Sequence, residues 1–572
     1  MADLDPLVTQ ALKKIRSGQE EHRTRVKRFN TSYDIYRASE PNAKGTSSWQ
    51  SKVRVPYAMQ VIDTGLVNIV SGQPRIKVTP RTPEDEGGAK AMQVLMDYFI
   101  AEDHFTEKQT PFTQQGLIYG LTVAKNHWLY QESLKTSREF TENPFDRSQP
   151  GIKISKAQSI IRDGPTFEPW DVYRAYWSPG ARDADDADYV VLQTYISKND
   201  LQRNALNPDT GTGLYRNVDK LLASGSPSQP DQTAQARYLG LPDNRTKDLF
   251  LVEEIWTDNT LVVIGNGQIL LRAEENPYWH GKKPIVIADT RPDLFEIQGI
   301  PETELVDHLQ QALWTLQNAT IDNLHLTVMR GITYREGGVT DPNALELRPR
   351  FKWPVSDHDD IRPFEVQPVS SDVYNERQRL LADMQLVTGI NPYVSGSDLN
   401  TVDQNTATGV TALQEVASRL LRFKAAQIHY KGYQRSFEMW GDMIQQYLDH
   451  DIAVKIYGAA NDAQWVEVSP QDVAGHYHYT LEGSEESLSR QQERGEAIAL
   501  LNAFAPLIPT GQVNIKPLLE KVAVAYGFPN AQALLVQPPQ QQQPAAPTQN
   551  QAQQQAPASA PPQVPMEPQQ NW

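Results

Sequence analysis

Four aspartates within six residues, Asp183, Asp185, Asp186 and Asp188, could hold Ca²⁺ or Mg²⁺ through their oxygens. With further converging ligands, such ions could support metal-dependent cleavage of DNA. The run lacks the glycine and terminal glutamate of an EF-hand loop, so a solvated acidic turn is the competing reading. His476 and His478 would share one face of a strand, but with no third ligand close in sequence they read as surface histidines. A third group is basic: Arg419, Arg422, Lys424, Lys431 and Arg435. On a helix these read as a solvated face, with lining a passage for phosphates as the alternative. No stretch has the Gly-x-x-x-x-Gly-Lys-Ser/Thr, Gly-x-Gly-x-x-Gly or Gly-x-Ser-x-Gly spacing, which argues against nucleotide turnover and serine hydrolysis. The chain has no cysteine, so disulfides and thiol chemistry are excluded. No cofactor is expected.

With 572 residues the chain has length for three or four domains, and its 39% hydrophobic content is depressed by one polar tail. A net charge of −16 opposes tight wrapping on nucleic acid, although it is compatible with letting DNA slide past. There is no leader pattern and no run of 18 apolar residues, so the expectation is a soluble, unexported protein that does not engage membranes.

The elements that must position these residues are dominated by one stretch. From Asn405 to Asp451, Val410, Leu413, Val416, Leu420, Phe423, Tyr430, Tyr433, Phe437, Trp440, Ile444 and Tyr447 recur at helical spacing, and no proline interrupts 393–469. One long amphipathic helix is expected, with Gly432 and Gly441 as bend points. Ahead of it, residues 1–60 carry 11 Lys or Arg against 6 Asp or Glu and read as a basic surface helix, with nucleic-acid contact the lesser option. From 152 to 287 strands dominate, with Asn266-Gly267 as a hairpin turn and 134–150 as a loop or hairpin tip. PTFEPWDVYRAYWSP reads as one strand, and 204–246 as a short helix with a loop. Leu305, Leu309, Leu313, Leu316, Ala319 and Leu324 mark a second long helix, and Tyr374 to Leu386 a third. Between them, 331–368 is compact and β-rich, with GITYRE and RFKWPV as its strands. Beyond 451 come short strands and two more helices. Residues 537–572, with 13 Gln, 9 Pro and a single charge, are expected to be disordered. The fold class is α+β.

Several pieces in this order, VRVPYAMQVIDTGLVNIVSGQPRIKVTP, GLIYGLTVAKNHW, FEPWDVYRAYWSPGARDADDADYVV, GIPETELVDHLQQALWTLQN and TGINPYVSG followed by NTATGV, resemble tailed-bacteriophage portal proteins. The similarity spans about residues 30–535. It implies a portal-like subunit with an α/β wing, a helical stem, a small β-containing clip, a long kinked wing helix and a helical crown. By position, 1–300 would be the wing, 301–330 and 371–388 the two stem helices, and 331–370 the clip. Then 389–405 would be the tunnel loop, 406–479 the long wing helix and a β segment, 480–536 the crown, and 537–572 the tail.

The resemblance further implies a ring of about twelve copies at one capsid vertex in the virion, assembled in the host cytoplasm, and no catalysis. Double-stranded DNA would pass through the ring in packaging and ejection. Partners would be the terminase large subunit, the major capsid and scaffolding proteins, and head-completion or tail adaptor proteins. Tyr393, Ser395, Ser397, Asn400 and Gln404 would face DNA in the tunnel loop. Arg348, Arg350, Lys352, Trp353, Asp357, Asp359 and Asp360 would dock partners at the clip. Tyr433, Phe437 and Trp440 would pack against neighbouring subunits or on the wing sheet. The rival readings are another capsid-associated structural or scaffold protein, and a metal-dependent nuclease built on Asp183–Asp188.

Overall fold

The computed structural model describes residues 6–39, 49–70, 74–142, 150–206, 213–225, 249–329, 331–335, 357, 359, 361–390, 419–457 and 463–482. The chain divides into two compact units, 1–492 and 493–572, and the described residues all belong to the first. The architecture is α+β.

The chain opens with α1 (Pro6–Arg37) and α2 (Tyr57–Val70), followed by β1 (Arg75–Pro80), α3 (Glu86–Glu102) and α4 (Phe105–Tyr119). Next comes a long antiparallel hairpin, β2 (Thr122–Glu142) and β3 (Pro150–Trp170). Of the loop or hairpin tip expected at 134–150, the hairpin is what forms: strand runs as far as Glu142 and resumes at Pro150. β9 (Ile285–Ala288) pairs with the base of β2, giving the order β3-β2-β9.

PTFEPWDVYRAYWSP is not one strand. Asp171 accepts a hydrogen bond from the backbone N–H of Tyr173, and this cap starts a 3₁₀ turn at Val172–Arg174 that separates β3 from β4 (Ala175–Trp177). A five-stranded antiparallel sheet follows: β4, β5 (Val190–Ser197), β6 (Leu249–Trp256), β7 (Thr260–Gly265) and β8 (Ile269–Glu275). Short helices α5 (Lys198–Arg203) and α6 (Val218–Ala223) sit between β5 and β6. The β7–β8 turn has φ of 48° at Asn266 and 65° at Gly267, the backbone region for which Asn-Gly is suited.

α7 (Glu302–Val328) and α8 (Ser371–Thr388) form a helical hairpin carrying a small antiparallel pair, β10 (Ile332–Tyr334) with β11 (Ile361–Pro363). GITYRE thus supplies one strand, but its partner is Ile361–Pro363 rather than RFKWPV, which lies outside the described residues. The long helix is described from 419. It runs as α9 (419–428), a π-helical turn at His429–Gln434, and α10 (Arg435–Tyr447). Continuity holds over this range, but the ladder widens at one turn instead of remaining α throughout. β12 (Ile452–Tyr457) pairs with β13 (Ala463–Val468), and β14 (Tyr477–Glu482) returns to pair antiparallel with β1.

Two large cores result. One gathers Phe29, Ile62, Leu117, Trp177, Leu192 and Val252 between α1, α2, α4 and the five-stranded sheet. The other gathers Met92, Phe99, Phe105, Phe167, Tyr433 and Trp440 where α3, α4 and the β2–β3 base meet the long helix. Burial of such aromatic and aliphatic side chains contributes roughly 1.5–3 kcal/mol each, the main favourable term of the fold.

Candidate functional site

The helical hairpin is fixed at one end only. In its first half, α7 buries Val306, Gln310, Leu313 and Trp314. Gln310 accepts from the Ala58 N–H at 2.8 Å and donates to the Ile35 carbonyl at 2.9 Å. The Trp314 indole N–H donates to the Val55 carbonyl at 2.7 Å, and Arg377 of α8 reaches the Tyr57 hydroxyl at 3.1 Å. Past Trp314 burial stops. Leu324 is 57%, Val328 72% and Met329 78% exposed, and on α8 Tyr374 is 54% and Leu386 79% exposed. The apolar spacing that predicted α7 is thus real; its distal half meets α8 and, through Asn318 and Asp322, the segment at Ser51–Val53, while Leu324, Val328 and Met329 have no cover among the described residues. A cleft of about 170 Å³ opens between the helices, lined by Leu316, Ile321, Val373 and Tyr374 among others.

The long helix is seated differently. Tyr433, Phe437 and Trp440 are 1%, 0% and 0% exposed within one protomer. Phe105 meets Tyr433, Phe437 and Trp440 with ring centroids 5.1, 5.0 and 6.2 Å away. Of the two packing places expected for these residues, the protomer's own strands and helices take them, and all three are buried there. The reason is the β2–β3 base, whose Phe167 closes the same aromatic cluster at 5.0 Å from Phe105.

The π turn is held by buried polar contacts. The Gly432 carbonyl accepts from the backbone N–H of Arg435 and also from the Ser436 hydroxyl, at 2.8 Å. Asn126 donates to Ser436 at 3.1 Å and accepts from the Trp440 indole at 3.1 Å, so each buried polar group has a partner. Gly432 is required by contact: a Cβ there would lie 2.7 Å from the Phe112 ring.

Three cations of this helix are drawn into ion pairs with the rest of the protomer. Lys424, fully buried, meets Glu302 at 2.8 Å and donates to the Thr388 carbonyl at 2.8 Å. Lys431 pairs with Asp289. Arg435 binds Asp183 through two hydrogen bonds of 2.9 and 2.8 Å and lies 3.8 Å from Asp185. Three cations at spacings of seven and four residues thus meet acids from three separate parts of the chain. Burial pulls the Lys424 pKa down, opposed by Glu302. Burial raises that of Asp289, opposed by Lys431. At Asp183 partial burial acts upward, but the Arg435 hydrogen bonds and charge outweigh it and hold the carboxyl below the usual range.

For three of the five basic residues this overturns the expectation: Lys424, Lys431 and Arg435 are consumed internally, whereas Arg419 is exposed as a solvated face requires and Arg422 is half-buried. It also bears on Asp183–Asp188. A guanidinium sits where an ion would, Asp186 accepts from the Arg182 N–H at 3.2 Å, and the Asp188 N–H donates to the Ser178 hydroxyl at 3.0 Å. The four are a capped, ion-paired turn rather than a converging ligand set. Sequence reasoning missed Glu302, Asp289 and Arg291, which lies 3.6 Å from Glu302; no motif marks them, because their partners are distant in the chain.

Of the residues expected at the clip, Asp357 and Asp359 are described. Asp359 N–H donates to Asp357 at 3.4 Å, and Asp359 forms an exposed 3.9 Å pair with Arg362. Arg348, Arg350, Lys352, Trp353 and Asp360 lie outside the described residues, as do Tyr393, Ser395, Ser397, Asn400 and Gln404. The segment carrying the latter five is bracketed by described structure. α8 ends at Gly389 in the left-handed region, Ile390 is buried, and Lys424 ties the Thr388 carbonyl to α9. No helix among the described residues is long and apolar enough to cross a membrane.

No curated protein matches the chain. A family model, described as the phage SU10 portal protein, matches residues 140–561, which takes in the sheet, the helical hairpin, the segment between α8 and α9, and the long helix. That match covers well over half of the sequence and agrees with the order of parts built up above: this chain belongs to the phage SU10 portal protein family.

Proposed function

We propose that the chain is one subunit of a closed ring, of about twelve copies, through which double-stranded DNA passes into and out of a capsid at a single vertex. The observation that carries this reading beyond family membership is the distal half of the α7–α8 hairpin. Exposed Leu324, Val328, Met329 and Tyr374 give that end an apolar surface that the described residues of one protomer leave uncovered. Contiguous apolar surface of that kind marks an interface, and side-by-side repetition around an axis covers it in every copy.

In this reading α7 and α8 are the stem, 331–370 the clip, 389–405 the tunnel loop and 480–536 the crown. The clip docks the terminase large subunit and later the head-completion or tail adaptors, and the wing meets the major capsid and scaffolding proteins. The segment 389–405 contains no Lys or Arg. That composition suits a conduit, since each strong phosphate contact would deepen a well from which the motor must pull DNA. The subunit itself is structural, and ATP hydrolysis belongs to its motor partner. The nuclease reading loses two of its four proposed ligands, Asp183 and Asp185, to Arg435. A mainly helical scaffold is disfavoured by the strands that make up much of the wing.

Negative-stain imaging of the purified protein tests the reading: rings with a central hole are expected. A compact monomer at micromolar concentration in every buffer tried would overturn it. Replacing 336–356 by a short turn is expected to leave rings intact while abolishing terminase capture.

A further inference from the structure

We infer that the solvent-facing ridge of α1 is a binding surface for double-stranded DNA, separate from any channel. α1 carries eight Lys or Arg and three Asp or Glu, in a protein whose net charge is −16. Its inner face is anchored. Val8, Ala11, Ile15, Phe29 and Ile35 are buried, His22 Nε2 donates to the Tyr173 carbonyl at 2.9 Å, and Arg25 stacks over Trp177 with its guanidinium carbon 4.5 Å from the ring centroid. Two more cations are spent inside the protomer: Arg28 pairs with Glu296 and Glu304, and Lys14 lies over Tyr189.

Arg37 is exposed at the C-terminal end of the helix; along the ridge what remains outward is Lys13, Arg16, Arg23 and Lys27, all exposed, and among the described residues none of the four has an ion-pair partner. From the first to the last is roughly 21 Å of helix at 1.5 Å per residue, about six phosphate spacings of 3.4 Å along one strand. The other exposed positions between them are Ser17, Glu20 and Thr24. This decides between occupants. A protein partner would need an apolar or aromatic anchor, and the ridge offers none. Phosphates are bound by the lysines, arginines and hydroxyls that are present. The rigid anchoring of the inner face means the four charges are displayed together without an ordering cost at binding.

The test uses the full chain and a covalently closed duplex circle, which cannot thread a ring, so that binding reports an outer surface whether or not rings form. Wild type is expected to bind, with affinity falling roughly 40–150-fold between 50 and 200 mM salt if three or four phosphates are neutralised. The variant Lys13→Gln/Arg16→Gln/Arg23→Gln/Lys27→Gln is expected to bind at least about ten-fold more weakly at low salt and to lose most of that salt dependence. Glu20→Gln, which removes the one acid on the ridge, is expected to bind more tightly than wild type. Undiminished binding by the quadruple variant, or no binding of the circle by wild type, overturns the inference. So does loss of salt-sensitive self-association in place of DNA binding, since the ridge would then face an acidic surface of a second copy.

Discussion

The long helix and the α7–α8 hairpin are both amphipathic helical elements, and they meet opposite fates. From Tyr433 to Ile444 the apolar stripe is sealed inside the protomer, although Phe423 and Tyr430 stay exposed, and Lys424, Lys431 and Arg435 are neutralised by Glu302, Asp289 and Asp183. Beyond Trp314 the hairpin presents a comparable stripe to water. The first element is therefore part of how one copy folds, while the second has its apolar face uncovered in one copy. Two helices that look alike by periodicity differ in whether their burial is completed within the chain or between chains.

The sharpest way to break the contrast is Trp440→Ala. It removes a fully buried ring and leaves Asn126 Oδ1 without its donor, so a loss of about 3–5 kcal/mol in protomer stability is expected by urea unfolding. Lys424→Met comes next, with about 3–5 kcal/mol expected because Glu302 is left buried without its nearest cation. The pair Lys424→Met with Glu302→Gln should regain most of that loss; a double variant no better than the single would mean that the ion pair is not what holds α9 to α7.

Acid should loosen the buried side before the exposed one. Burial is the main cause that lowers His22 and His429 to a pKa of about 4. The unfolded chain, with histidine pKa near 6.5, takes up protons first as pH falls, so stability is full above about 6.5 and is lost on descending toward 4. A drop of about 1–3 kcal/mol per histidine is expected across that window. His22→Gln should flatten the profile of thermal midpoint against pH. Ser436→Ala should cost about 1 kcal/mol, since it strips the Gly432 carbonyl at the π turn of its side-chain donor. The smallest effect on the protomer, within roughly 0.5 kcal/mol, is expected for Leu324→Ser and Leu386→Ser. If these residues are interface, the same substitutions should have the largest effect on ring yield by negative stain.

Much of the secondary structure was legible because it is written locally. Leu305, Leu309 and Leu313 recur at helical intervals, Asn266-Gly267 forces a hairpin turn, and helix breakers are missing around Trp440. The misreadings share a cause. Asp171 splits a strand by one side-chain hydrogen bond, a contact that alternation does not encode. Lys424, Lys431 and Arg435 looked like a wet face because their acids sit more than 120 residues away in sequence.

The sequence by itself determined where the long helices lie, the absence of thiol chemistry and of nucleotide-binding signatures, and an order of parts specific enough to indicate a portal-type subunit. Tertiary structure alone decided which charges are spent inside the protomer, that Tyr433, Phe437 and Trp440 close its own core, and that β14 returns to β1. Periodicity is a property of neighbours a few residues apart, whereas burial and ion pairing are properties of whatever the fold brings alongside, and no local pattern carries that information.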